Sequence, residues 1–123
     1  YSKQRKQFDQ TLSNFQAIQH MIAQMSIMVF NMESIVYRTA IDYDAKKDVA
    51  TKSAMVKYYC SDSLDKIADF AVQIHGGMGY SKELPIERFY RDSRINRIFE
   101  GTNEIQLGII AHDANKKNGK IFK

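Results

Sequence analysis

Two short stretches hold the residues whose types and spacing could do chemistry. In the first, Gln73-Ile74-His75-Gly76-Gly77-Met78-Gly79-Tyr80, three of the chain's six glycines are crowded together. Glycine is favoured where the backbone must turn left-handed, or where another group has to lie directly against it. The second, Ile98-Phe99-Glu100-Gly101-Thr102-Asn103-Glu104-Ile105, sets one acid just ahead of a Gly-Thr turn and a predicted helix start. A carboxylate there could exchange a proton. Taken alone, Glu100 is an ordinary loop acid.

The elements that must position these stretches are helical. Ser13 followed by Gln16 has the form of a capping box, and Phe15, Ile18, Ile22, Met25, Val29, Met32, Val36 and Ala40 then recur at spacings of three and four. That spacing predicts one long helix, widened by Met21, Met28 and Ile35 to a face buried on more than one side. The methionines read as core filling. A polar break at 43–48 precedes a second long helix carrying Ala54, Met55, Tyr58, Leu64, Ile67, Ala68, Ala71 and Ile74, which the double glycine stops. Pro85 suits the first turn of a third, short helix, with Ile86, Phe89, Tyr90 and Ile95 available to a core. Along it Arg88, Arg91, Arg94 and Arg97 repeat every third residue, either as a solvated, salt-bridged face or as a contact for a partner or anion. Thr102 caps a fourth helix with Ile105, Leu107, Ile109, Ile110 and Ala111, ending near Asn118-Gly119. Residues 1–12 read as the end of an upstream helix and a turn. The fold class is all-α, an antiparallel four-helix bundle with two long and two short helices.

Composition narrows the function classes. A chain of 123 residues with 44% hydrophobic and 26% charged residues is one domain with a modest core. The net charge of +4 is small and sits largely at the two ends, without a nucleic-acid motif, so no nucleic-acid partner is expected. Cys60 is the single cysteine; it has no disulfide partner, reads as a small buried thiol, and points to a reducing compartment. His20, His75 and His112 share no metal-ligand spacing, so no metal is expected. No apolar run is long enough for a membrane span. The chain starts at Tyr1 inside what reads as structure, which predicts a piece of a longer protein.

Five strings in order take the reading further: Arg5-Lys6-Gln7-Phe8, Phe15-Gln16-Ala17-Ile18-Gln19, Gln73 to Gly79, Glu87-Arg88-Phe89-Tyr90-Arg91-Asp92, and Ile98 to Ile105. Together, over residues 1–123, they resemble the C-terminal helical domain of acyl-CoA dehydrogenases. The resemblance implies an FAD enzyme that introduces an α,β double bond into an acyl-CoA thioester. Glu100 matches the catalytic base, and Gly101 a substrate-contacting position. Cofactor contacts are implied for Arg5, Gln7, Phe8, Phe15 and Gln16, for Gln73, Gly76 and Gly77 at the adenine end, and for Thr102, Asn103 and Glu104 on the flavin side. It further implies a homodimer or homotetramer whose first and middle groups reach a neighbouring subunit's FAD. An electron-transferring flavoprotein is the expected acceptor, and the location bacterial cytoplasm or, in a eukaryote, the mitochondrial matrix. One departure stands out: the family usually has glycine where this chain has Asp9. The competing readings are a non-catalytic flavin-fold scaffold and a generic basic helical module for nucleic acid.

Overall fold

The computed structural model describes residues 1–117 and 119. Helices α1 (Gln16–Asp44) and α2 (Ala50–His75) form a long hairpin; α3 (Gly77–Tyr80), α4 (Ile86–Ser93) and α5 (Asn103–Lys116) follow. Short 3-10 turns occupy Leu12–Asn14 and Arg94–Arg97. Everything is arranged about α2, against which α1, α3, α4, the Arg94–Arg97 turn and α5 all pack. The all-α bundle expected from the periodicity is the fold found.

The N-terminal segment differs from expectation. It is a minimal hairpin, β1 (Lys6–Gln7) against β2 (Gln10–Thr11), with Lys6 opposite Thr11 and Gln7 opposite Gln10. Its two-residue loop is Phe8-Asp9, at φ of 50° and 63°. Tight hairpins need left-handed loop residues, which Asn and Gly usually supply. The loop conformation therefore accounts physically for a glycine at the position Asp9 occupies, and aspartate is among the residues that tolerate it. The expected Ser13 capping box is also corrected. The Ser13 hydroxyl shares a hydrogen bond with that of Thr11 at 3.0 Å, and α1 begins after Phe15 without a side-chain cap.

The faces of the helices carry a second correction. Helix α1 packs along α2 on one side only, leaving Ile22, Val29 and Val36 of the expected face 38–42% exposed and, beyond that face, Ile27, Phe30, Tyr37 and Ile41 at 61–70%. On α4 and the turn after it, Phe89, Tyr90 and Ile95 are 48–56% exposed, and of the four expected core residues only Ile86 is less open. Among the described residues the buried apolar ones are Ala54, Ala68 and Ile74, all on α2. Periodicity marks which residues avoid water; it does not say whether this chain holds the surface that covers them.

The α1–α2 connection is held by an ion cluster that the sequence reading did not single out. Asp42 is buried, and its carboxylate receives Lys47 at 2.8 Å, Lys52, and the Arg38 guanidinium at 3.6 Å. Its backbone carbonyl also takes the Lys47 N–H at 3.0 Å, while Lys46 N–H reaches Tyr43 O at 2.9 Å. With Lys46 left-handed at φ 59°, this is a Schellman stop made without glycine. Hydrogen bonds from Lys47 and then Lys52 hold the Asp42 carboxyl well below the usual carboxylate range. A carboxylate depressed in the folded state stabilises it above its unfolded pKa and loses that effect as pH falls toward the folded one. Asp42→Asn is therefore expected to destabilise most at neutral pH, with the gap to wild type closing below about pH 4. Urea midpoints measured between pH 2 and 7 check this; a constant gap would remove Asp42 from the acid response. Asp113, held low by Lys117 and Thr51, acts in the same direction in both proteins.

Candidate active site and nucleotide cleft

The expected site residues gather in two places. At the C-terminal end of α2, a cleft of about 500 Å³ is lined by Tyr1, Arg5, Gln7, Leu12, Ile18 and the run Gln73 to Met78. Five of the expected cofactor contacts, Arg5, Gln7, Gln73, Gly76 and Gly77, thus share one concavity. The hairpin brings in the first two, tied down by the Leu12 N–H to Arg5 O bond at 2.9 Å. Gly76 brings in the rest by ending α2 at φ 58°, ψ −139°, a conformation largely confined to glycine. His75 stacks on Tyr1 with ring centres 4.5 Å apart, and its Nδ1 lies 2.7 Å from Ala71 O. A Cβ added to Gly77 would meet nothing within 4 Å. A guanidinium beside open, side-chain-free backbone fits a dinucleotide's pyrophosphate and base. Phe8, Phe15 and Gln16 do not line this cleft. Phe8 is 85% exposed and meets Phe15 edge-on at 6.3 Å.

The second place is the turn before α5. Glu100 is exposed and left-handed at φ 57°, and Gly101 follows at φ 86°. A non-glycine residue held in that region is strained, and such strain collects at functional sites. Thr102 caps α5 as expected, its hydroxyl oxygen accepting from the Ile105 N–H at 3.3 Å. Glu104 occupies the first turn, and its carboxyl is lowered by its own backbone N–H and by the Thr102 hydroxyl. The charge that the helix start stabilises is therefore Glu104's.

Asn103 requires a correction. The whole residue is only 2% exposed, and its side chain points into the α2–α5 seam, where Oδ1 accepts from Lys57 Nζ at 2.8 Å and Ser61 Oγ at 2.9 Å. It is an anchor of the helix start and not a ligand contact. Two more polar residues of α5, Gln106 and Asp113, also turn inward and were not singled out by the sequence reading. Gln106 is buried, with Nε2 3.4 Å from Glu100 O and 3.3 Å from Gly101 O. Asp113 accepts from Thr51 Oγ1 at 2.8 Å farther along the seam. Of the apolar residues expected to seat α5, Ile105, Leu107 and Ile109 are 42–59% exposed, Ala111 is exposed, and only Ile110 is partly covered. An i, i+3 polar spacing in α5 was the available signal.

The arginine run divides. Arg97 reaches Asp65 at 3.4 Å and Arg91 reaches Glu87 at 3.6 Å, so part of it is a salt-bridged face. Burial pushes the Cys60 thiol up, which keeps it protonated and unreactive. Among the described residues, no group of three or more His, Cys, Asp or Glu could hold a metal ion, and no helix is long and apolar enough to cross a membrane.

Ser61, which fastens the Glu100 turn through Asn103, and Gln73, which lines the cleft, lie roughly 18 Å apart along α2 at about 1.5 Å per residue. The cleft and the Glu100 turn thus lie at separate places along one helix. The profile of the acyl-CoA dehydrogenase C-terminal domain matches residues 1–114. The chain belongs to the acyl-CoA dehydrogenase family. It is 43% identical over 111 residues to the caffeyl-CoA reductase–Etf complex subunit CarC of Acetobacterium woodii, covering 90% of this chain and 29% of that protein. The 3-(aryl)acrylate reductase of Clostridium sporogenes is 42% identical with the same coverage. Among solved structures, butyryl-CoA dehydrogenase from Megasphaera elsdenii superposes at a TM-score of 0.91 with 38% identity, over 94% of this chain and 30% of that one. The chain thus spans less than a third of the length of the acyl-CoA dehydrogenase relatives it matches.

Proposed function

We propose that this chain supplies the catalytic base and part of the flavin site to an FAD-dependent enzyme that interconverts an acyl-CoA and its trans-2-enoyl-CoA. The observation that carries the reading is Glu100, an acid held left-handed and exposed at the family's base position, directly before a capped helix start. Its carboxylate takes the proton from the thioester α-carbon as the Cα–Cβ double bond forms. When bound, FAD supplies the acceptor for the β-hydrogen, which leaves as hydride. Because Glu100 is open to solvent in this domain, the exclusion of water that makes a carboxylate an effective base falls to groups outside this chain. Gly101, next to the acid, gives a thioester close access to the backbone.

For the cofactor, Arg5 is suited to the pyrophosphate, and Gln73, Gly76 and Gly77 to the adenine end. Gln7 assists from the hairpin, and Phe8, Phe15 and Gln16 flank the approach. Thr102 and Glu104 serve the flavin side, on a helix start that Asn103 fastens to α2. The family resemblance, in which the first and middle groups reach a neighbouring subunit's FAD, supports a homodimer or a dimer of dimers. An electron-transferring flavoprotein is the proposed partner, supported by the Etf association in the A. woodii relative's name. A bacterial cytoplasm or a mitochondrial matrix would suit such an enzyme.

A second reading concerns direction, because the relatives from A. woodii and C. sporogenes are named as reductases. By microscopic reversibility Glu100 would then return a proton to the α-carbon. The test takes the complete flavoprotein under anaerobic conditions and follows flavin absorbance. Bleaching by saturated acyl-CoAs supports dehydrogenation. Reoxidation of the reduced protein by enoyl-CoAs, without such bleaching, supports reduction. Bound flavin that responds to neither would favour the scaffold, and a preparation that binds no flavin would overturn the proposal.

A further inference from the structure

The Glu100 turn is held from beneath by a single buried amide. Glu100 and Gly101 are consecutive left-handed residues, and this geometry turns both of their carbonyls toward α5. Gln106, buried one helical turn into α5, places Nε2 between them at 3.4 and 3.3 Å. Both neighbours are acceptors, so the amide has to present its NH2 group there. A Cβ on Gly101 would lie 2.7 Å from that nitrogen, so a side chain there would displace the amide from under the turn.

The support continues into the core of the fold. The first turn of α5 is fastened to α2 by the Asn103 bonds to Lys57 and Ser61, which cross 46 and 42 residues of sequence. We propose that Gln106 is a positioning residue that holds Glu100 in its strained orientation by hydrogen-bonding the turn's two carbonyls. This rests on the reading of Glu100 as the base. Gln106 touches neither substrate nor cofactor in this role. Its effect is on the placement of the carboxylate, so it belongs to turnover rather than to binding.

The test uses the complete flavoprotein with two variants of similar size that cannot donate to the carbonyls, Gln106→Met and Gln106→Leu. The expected result is a kcat lower by about 10- to 100-fold, the scale of a misplacement of about 1 Å. KM and flavin content should stay near wild type. A double-mutant cycle separates positioning from plain structure: in a Glu100→Gln background, Gln106→Met should add little further loss, because both act through one group. Additive losses would overturn the proposal, as would wild-type kcat in either variant that retains flavin. Loss of flavin from both would overturn it too, by making Gln106 a residue of the fold and not of the turn. If Glu100→Gln itself turns over normally, the base assignment fails first, and that outcome is visible before any Gln106 variant is read.

Discussion

Glu100→Gln in the complete flavoprotein is expected to abolish most substrate-driven flavin reduction while leaving acyl-CoA binding intact. The amide keeps the shape of the side chain and loses the basic oxygen. A positioned general base is worth about 10²- to 10⁴-fold, so the single-turnover rate should fall by that range. Binding is expected to survive because the exposed side chain makes no hydrogen bond or ion pair to another described residue, so its replacement disturbs little packing. Stopped-flow bleaching gives the rate and a titration of the spectral shift gives the affinity. Normal bleaching would show that the proton goes elsewhere.

The glycine cluster is expected to give opposite results at positions two residues apart. An added Cβ at Gly79 would stand 2.8 Å from Val72 O, 2.8 Å from His75 Cβ and 3.1 Å from Val72 Cα. Two of those three are backbone atoms of α2 and cannot swing away. Gly79→Ala should therefore cost about 1–3 kcal/mol by overpacking, read as a lower unfolding midpoint. At Gly77 the same addition meets open space, in the mouth of the cleft. Gly77→Val should leave the apoprotein midpoint unchanged and lower the amount of flavin retained on purification. Equal stability losses at both sites would show that the cleft face of Gly77 is packed, and full flavin retention in Gly77→Val would separate the cleft from the cofactor.

Local chemistry explains which parts of the fold and site were legible. The two long helices announce themselves because burial against a neighbour repeats every 3.6 residues, whatever that neighbour is. Gly76 stops α2 because its ψ of −139° at positive φ excludes a side chain, and Thr102 caps α5 through a bond to a residue three positions away. Such features depend on a handful of adjacent residues. The hairpin at Lys6–Thr11 was not legible, since its left-handed loop is built from Phe8 and Asp9 with no Asn-Gly signature. The Lys46 stop lacks glycine in the same way.

By itself the sequence determined the helical class, the two glycine-bearing turns, and the order of residues that mark the acyl-CoA dehydrogenase family. Only the tertiary structure decided which side of each helix this chain covers and which polar residues turn inward. Ile105 and Leu107 face outward while Asn103 and Asp113 make the seam with α2 and Gln106 is buried beneath the Glu100 turn. That choice is made by Thr51, Lys57 and Ser61, far away in sequence. A buried polar group is tolerable only when its partner is present, and partners brought together by folding leave no mark at either position alone.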